Sequence, residues 1–310
     1  MENFNVNKCK AFINFMLTQQ QWSGINKQDI DKWFLNFRSL DTDEIKLVYK
    51  LLVNIIYFSE KDVTDALRYG VLNCLSYSDI LEKQKETSFA LSPKALLNIY
   101  NEKLNKSCFV PLLDSDSPHE SGNSISRLLV QQGIVTDDCS MFIDKVPEFF
   151  KSRVVENLVI VDDCVGSGDQ LTTFWTGTMV DDGEGAITIK ELCEKYNVKA
   201  NYLTLFGYNK NIDSLRDNFK DLNIHCVRLL NDSHRVFSDL SYVWESKEER
   251  DSAFSLFESL TKNAGIPLLG YKELDFAFIM HRTIPDWSLP LFWKENNDWK
   301  LLLRRKNSNG

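Results

Sequence analysis

Cysteine and histidine are present, but never in the spacings that hold a metal or build a disulfide framework. The seven cysteines (Cys9, Cys74, Cys108, Cys139, Cys164, Cys193 and Cys226) are odd in number and nowhere form C-x-x-C. The four histidines show neither an H-x₃₋₅-H nor an H-E-x-x-H pattern. That scatter predicts free thiols in a reducing cytoplasm and argues against structural zinc, so no metal-ligating residue is assigned. An excess of basic residues is also missing. The 36 Lys and Arg against 44 Asp and Glu give a net charge of −8, which leaves no global field to attract nucleic acid. Apolar runs end well before membrane-spanning length, so no membrane helix is expected. The opening MENFNVNKCKAF has no basic segment leading into an apolar one, so no signal peptide is expected and the reading is cytoplasmic. No internal repeat or low-complexity tract is visible.

What is present is an ordinary globular composition. With 310 residues, 43% of them hydrophobic, the chain can bury a core in one large or two modest domains. Residues 1–95 read as a helical module. Ile30–Phe37, Ile45–Phe58 and Val63–Leu75 carry apolar positions at three- and four-residue spacing, and Ser92-Pro93 would start a further helix through Leu104. From about residue 107 short apolar strands alternate with amphipathic helices. Strands are predicted at Cys108–Leu113, Asn157–Val161, Lys199–Tyr208 and Ile224–Leu230. Helices are predicted at Ser124–Gln132, Gln170–Thr178, Ile187–Tyr196 and Ile212–Leu222. The alternation predicts an α/β fold, a largely parallel sheet flanked by helices. The core is taken as 96–265, and 266–310 as a strand (Asp275–His281) and an aromatic cap completing it. Asp181-Asp182-Gly183-Glu184-Gly185 reads as an exposed acidic turn.

The stretch with chemistry in it is NLVIVDDCVGSGDQLTT, residues 157–173. An apolar strand stops at Asp162 and Asp163, and a loop with Gly166, Ser167 and Gly168 leads into a helix. Parallel sheets bind ligands beyond the carboxyl ends of their strands, where this loop falls. Glycines let the backbone approach a ligand, and successive N–H groups entering a helix form an anion-binding nest. Carboxylates in direct contact would repel that anion. A ribose 5-phosphate resolves the conflict, because its hydroxyls suit acids while its phosphate suits the loop. A Walker loop is excluded because no lysine follows the glycines. A Rossmann fingerprint is excluded because Leu171 stands at its third glycine. A D-x-D phosphatase would want an acid where Cys164 stands.

The same residues resemble the type I phosphoribosyltransferase family, whose signature is a hydrophobic strand, two acids, two mostly apolar residues and a Thr/Ser-Gly phosphate loop. The resemblance implies that Asp162 and Asp163 take the ribose hydroxyls and that Gly166, Ser167, Gly168, Asp169 and Gln170 hold the 5-phosphate. Two positions depart from it: Gln170 stands where the family commonly has threonine, and Asp169 adds a negative charge to the loop. The helical front ending in NIIYFSEKDV, the segment HRVFSD and the tail GYKELDFAFIMHRTIPDWSLPLFW look like the branch associated with bacterial conflict and antiphage-defence operons. That resemblance implies an effector in antiphage defence. The loop after the first core strand, DSDSPHESGNSISR, would face the pyrophosphate. Ser117, His119 and Asn123 offer donors there, and Ser121, Gly122 and Arg127 are its best ligand-binding candidates. Mg²⁺ would accompany a pyrophosphate-bearing ligand through hard oxygen donors.

Other residues read more plainly. His281-Arg282 could belong to a hood over the base as the last strand of the sheet, but Trp287, Phe292, Trp293 and Trp299 fit a packed cap better. His225 and Cys226 fit a half-buried strand. Arg235 fits a surface salt bridge as well as a phosphate, and Cys164 fits packing. Three functions follow: a glycosyl-transferring enzyme, with nucleotide N-glycosidic cleavage by a toxin as its variant; an inactive nucleotide-sensing or assembly subunit of a multi-component defence complex; and a nucleic-acid-associated subunit using Arg282, Arg304, Arg305 and Lys306. The partners implied are a ribose-phosphate or nucleotide ligand and protein or nucleic-acid components of such a complex, with no membrane.

Overall fold

The computed structural model describes residues 4–113, 121–281, 283–296 and 298–305. Among them run eight strands: β1 (Ile56–Phe58), β2 (Ser107–Pro111), β3 (Asn157–Val165), β4 (Met179–Asp181), β5 (Ala186–Thr188), β6 (Lys199–Tyr208), β7 (Asn223–Leu230) and β8 (Phe278–Met280). The chain divides into two compact units, 1–63 with 230–307, and 64–229 with 308–310. The division falls at different places from the boundaries at 95 and 265 read from the sequence. Residues 266–307 cluster with the N-terminal segment rather than with the α/β core.

The α/β unit is built on a four-stranded sheet in the order β2-β3-β6-β7. β3 pairs in parallel with β2 and with β6, and the β3–β6 register runs from Asn157↔Lys199 to Val165↔Gly207. The apolar runs predicted as strands are these strands, because side chains buried on both faces leave no polar alternation. Leu158, Val159, Ile160 and Val161 are all fully buried, each contributing roughly 1.5–3 kcal/mol against exposure. One face carries Leu158, Ile160, Ala200 and Tyr202 against Phe174, Ile189 and Leu192 of helices Asp169–Gly177 and Ile189–Tyr196. On the other face Gly70 of helix Glu60–Leu75 packs against Leu203 and Val227, with no room for a Cβ. Helix Ser121–Gln131, after β2, packs against β2 and β3.

The predicted helices lie close to their expected places, though the one expected at Ile212–Leu222 runs earlier, at Asn209–Asn218. Helix Ile189–Tyr196 starts later than expected because Ala186–Thr188 pairs with Met179–Asp181 as an antiparallel hairpin. The acidic turn of that hairpin is not simply exposed. Asp182 is buried, accepts the N–H groups of Glu184 and Gly185, and pairs with Lys195 at 2.7 Å. Lys151 also donates to its carbonyl. The acid therefore holds the turn together.

The other unit has its own core, including Trp22, Trp33, Phe37, Leu51, Phe257 and Phe292. Its helices start where capping chemistry predicts: Asn26 with Asp29, and Asp41 with Glu44, form reciprocal caps for Lys27–Trp33 and Thr42–Val53. The helix expected to run through Phe58 stops at Val53. The β-branched and aromatic residues Ile56–Phe58 instead form β1, parallel to β8. β8 therefore belongs to a two-stranded sheet and is not the last strand of the four-stranded one. Trp287, Phe292, Trp293 and Trp299 are buried, and the Trp33 and Trp299 indoles both donate to the Leu291 carbonyl at 2.9 Å. The aromatic tail is thus core.

Candidate functional site

β3 carries the acid pair past the point where the sequence suggested the strand would end. Pairing with β6 continues through Val165, so Asp162 and Asp163 lie inside the sheet and are 3% and 6% exposed. Asp162 shares the face of Leu158, Ile160 and Tyr202. The Tyr202 hydroxyl donates to Asp162 Oδ2 at 2.7 Å, and the Asp163 N–H donates to Asp162 Oδ1 at 2.9 Å. Asp163 Oδ1 in turn accepts the Cys164 N–H at 2.7 Å. Burial, and then the adjacent Asp163 charge, push the Asp162 carboxyl well above the usual carboxylate range, against the opposing pull of the Tyr202 hydrogen bond. Burial, and then Asp162, push the Tyr202 phenol up in the same way.

The loop that follows has the geometry of a strand-to-helix joint. Gly168 caps helix Asp169–Gly177 with φ +84°, a conformation that favours glycine. A Cβ there would also stand 2.9 Å from Leu215 Cδ1. The Gly166 carbonyl accepts Asn211 Nδ2 at 2.6 Å, tying the loop to helix Asn209–Asn218. The Ser167 hydroxyl accepts the Asp169 N–H at 3.3 Å, and the Thr172 hydroxyl donates to the Gly168 carbonyl at 3.0 Å. Gly166 and Gly168 are buried, Ser167 is half-buried, and Asp169 and Gln170 are exposed in the first helical turn. Helix N-termini attract anions, and the negative charge of Asp169 opposes that attraction locally.

The second predicted loop is only partly described. Ser117 and His119 lie outside the described residues, as does the Ser121 side chain. Helix Ser121–Gln131 begins at the carboxyl end of β2, next to β3, so both loops open at the same edge of the sheet. Gly122 is buried there, and any Cβ would fall 2.2 Å from the Leu112 carbonyl oxygen. Arg127 is exposed on that helix.

Other candidates have structural partners. Arg235 pairs with the buried Asp275, which also accepts the Phe237 N–H at 2.6 Å. His281 bonds the Ser23 hydroxyl through Nδ1 at 2.9 Å and faces Glu60 through Nε2 at 3.3 Å. Arg304 pairs with Glu295 at 3.0 Å, and Arg305 lies 3.7 Å from Asp286. Arg282 and Lys306 lie outside the described residues. His225 is pushed down to about 4 by burial and by the Lys199 and Arg216 charges. None of the seven cysteines forms a disulfide, and Cys164 is half-buried.

A cavity of about 640 Å³ lies elsewhere. Val154, Glu156, Trp175, Lys190, Tyr196 and Asp221 help to line it, at the edge where β3 and β6 begin. A parallel sheet presents ligands at its opposite edge, so the loop geometry outweighs the volume. Sequence reasoning missed Tyr202, Asn211 and Leu215. Each acts through an element brought alongside by strand order, which no local pattern shows.

A parallel sheet with helices on both faces, an acid pair on one strand and a glycine-capped helix after it are the parts of a phosphoribosyltransferase-like protein. The family model described as PRTase-CE matches residues 30–305, and the chain belongs to that family. No curated protein matches it. No helix among the described residues is long and apolar enough to cross a membrane.

Proposed function

We propose that the chain binds a ligand bearing ribose 5-phosphate, phosphoribosyl pyrophosphate or a nucleotide, at the carboxyl edge of β3, and works as an effector in bacterial antiphage defence. The observation that carries the ligand is the joint itself: two buried acids run into a helix whose Gly168 cap has φ +84°. The acid pair takes the sugar hydroxyls and the 166–170 loop takes the phosphate, with Ser121, Gly122 and Arg127 on the pyrophosphate side. The defence role rests on the sequence resemblance of the front and tail segments.

In the enzymatic form of this reading, departure of pyrophosphate leaves a cationic C1 that a neighbouring carboxylate favours electrostatically. A nucleophile then takes the sugar, or water does, in which case the same pocket cleaves the N-glycosidic bond of a nucleotide. Among the described residues no three His, Cys, Asp or Glu side chains gather as a metal cage. Mg²⁺ would therefore come with the ligand, held mainly by pyrophosphate oxygens, which suits its reluctance to shed water.

A second reading, a nucleotide sensor or assembly subunit without turnover, is favoured by the exposed Asp169 and Gln170 in the phosphate turn. Mass spectrometry of metabolites carried by the purified chain, followed by product analysis with phosphoribosyl pyrophosphate and common nucleotides, separates the two. Bound ligand with product supports the enzyme; bound ligand without product supports the sensor. If Asp162→Asn combined with Asp163→Asn leaves both nucleotide turnover and phage protection intact, the enzymatic proposal fails.

A further inference from the structure

We propose that Ser23, His281 and Glu60 act as nucleophile, base and orienting acid, and that the chain carries a second activity: acyl transfer from a small carboxylic ester through an acyl-serine at Ser23. This does not rest on the ribose-phosphate reading of the β3 joint.

The three residues are far apart in sequence and all lie in the unit formed by 1–63 and 230–307. The short parallel sheet brings them together. β1 and β8 end side by side, with Phe58 opposite Met280. The next residue after β8 is His281, whose N–H donates to the Phe58 carbonyl at 2.7 Å. Beyond β1 the chain enters helix Glu60–Leu75, with Glu60 in its first turn. The turn ahead of helix Lys27–Trp33 is fastened to the same strand. Trp22 is buried against Tyr57, and the Gly24 N–H donates to the Tyr57 hydroxyl at 2.6 Å. Ser23 sits between those two anchors.

The geometry is that of an activated serine. Ser23 Oγ lies 2.9 Å from His281 Nδ1, and His281 Nε2 lies 3.3 Å from Glu60 Oε2. A nucleophile within hydrogen-bond reach of a base that a third group orients is the arrangement that serine catalysis requires, whatever the order in the chain. The tautomer follows from the acid. A carboxylate only accepts, so Nε2 carries the proton that faces Glu60, and Nδ1 is left to accept from the Ser23 hydroxyl. The imidazole is sheltered, with 12% of its side chain exposed, while Ser23 is open to solvent.

In the reaction, Ser23 Oγ bonds to the ester carbonyl carbon as its proton passes to His281 Nδ1, and Glu60 holds the imidazolium. The tetrahedral oxyanion collapses, the bond to the alkoxide oxygen breaks, and His281 returns the proton to the departing alcohol. Water then repeats the sequence, releasing the carboxylic acid and restoring Ser23. The Gly24 N–H is occupied by Tyr57 rather than offered to the oxyanion. One missing oxyanion donor costs about 10²–10³ in rate, so slow turnover and a detectable acyl-serine are expected.

The test incubates the full chain with p-nitrophenyl acetate and reads the adduct by intact mass and peptide mapping. The expected result is a single acetyl group on Ser23 that is lost in Ser23→Ala. His281→Gln is expected to slow its formation by about a hundredfold or more, the usual worth of a general base. Glu60→Gln is expected to slow it by about tenfold or more, because an amide can donate to Nε2 and so stabilise the wrong tautomer. Should His281→Gln not fold, Glu60→Gln at its half-exposed position still decides. Absence of acetyl from Ser23, acetylation spread over other surface residues, or an unchanged rate in either folded variant overturns the proposal.

Discussion

The Tyr202 hydroxyl donates to Asp162 Oδ2 across the β3–β6 pair at 2.7 Å, and both residues are buried. Burial, and then the adjacent Asp163 charge, make this carboxyl ionise reluctantly against the pull of the Tyr202 bond, which gives stability a dependence on pH. Below the ordinary value of 3.8 the folded and unfolded chains both keep the Asp162 proton. Above it the unfolded chain ionises first, so the native contribution is lost as pH rises toward the raised folded value. Asp162→Asn removes that loss. Urea denaturation should show the variant gaining on the wild type as pH rises above the ordinary value of 3.8. A constant difference across the range would mean that Asp162 is ionised as usual.

Gly168→Ala tests the phosphate turn. A left-handed alanine costs about 1–2 kcal/mol, and the new methyl also meets Leu215. The variant should lose stability by at least that amount and weaken binding of inorganic phosphate. A double-mutant cycle with Leu215→Ala should return a coupling of about 0.5–3 kcal/mol.

His225 should supply an acid-sensitive term. Its folded value of about 4 lies below the ordinary 6.5, so the contribution is present above 6.5 and is lost as pH falls toward 4. That loss amounts to on the order of 3 kcal/mol. His225→Gln should flatten the stability profile across this window in chemical denaturation.

Asp275→Ala tests whether Arg235 is architectural. The change strips a buried partner from Arg235 and from the Phe237 N–H, and should cost about 3 kcal/mol or more in thermal or chemical unfolding. A near-neutral result would return Arg235 to the list of phosphate ligands.

Much of this was legible in the residues. Buried parallel strands announce themselves as unbroken apolar runs, so β3 and β6 could be read directly. The caps at Asn26 and Asp41 are local chemistry. Ile56–Phe58 misled because its apolar residues continue a helical spacing, and its partner β8 lies more than two hundred residues away. The acid pair and Gly168 were visible because they are contiguous in sequence. Tyr202 was not, since its meaning depends on the β3–β6 register, which places it on the Asp162 face. Asp182 was misread for the opposite reason: a run of acids and glycines looks solvated until Lys195 and Lys151 are folded onto it.

The most direct test of the central claim is calorimetric titration of the full chain with phosphoribosyl pyrophosphate, beside the Asp162→Asn, Asp163→Asn double variant. The account predicts saturable binding by the wild type and a loss of about tenfold or more in the double variant, or roughly 1.4 kcal/mol. No binding by the wild type, or equal binding by the two proteins, would contradict it.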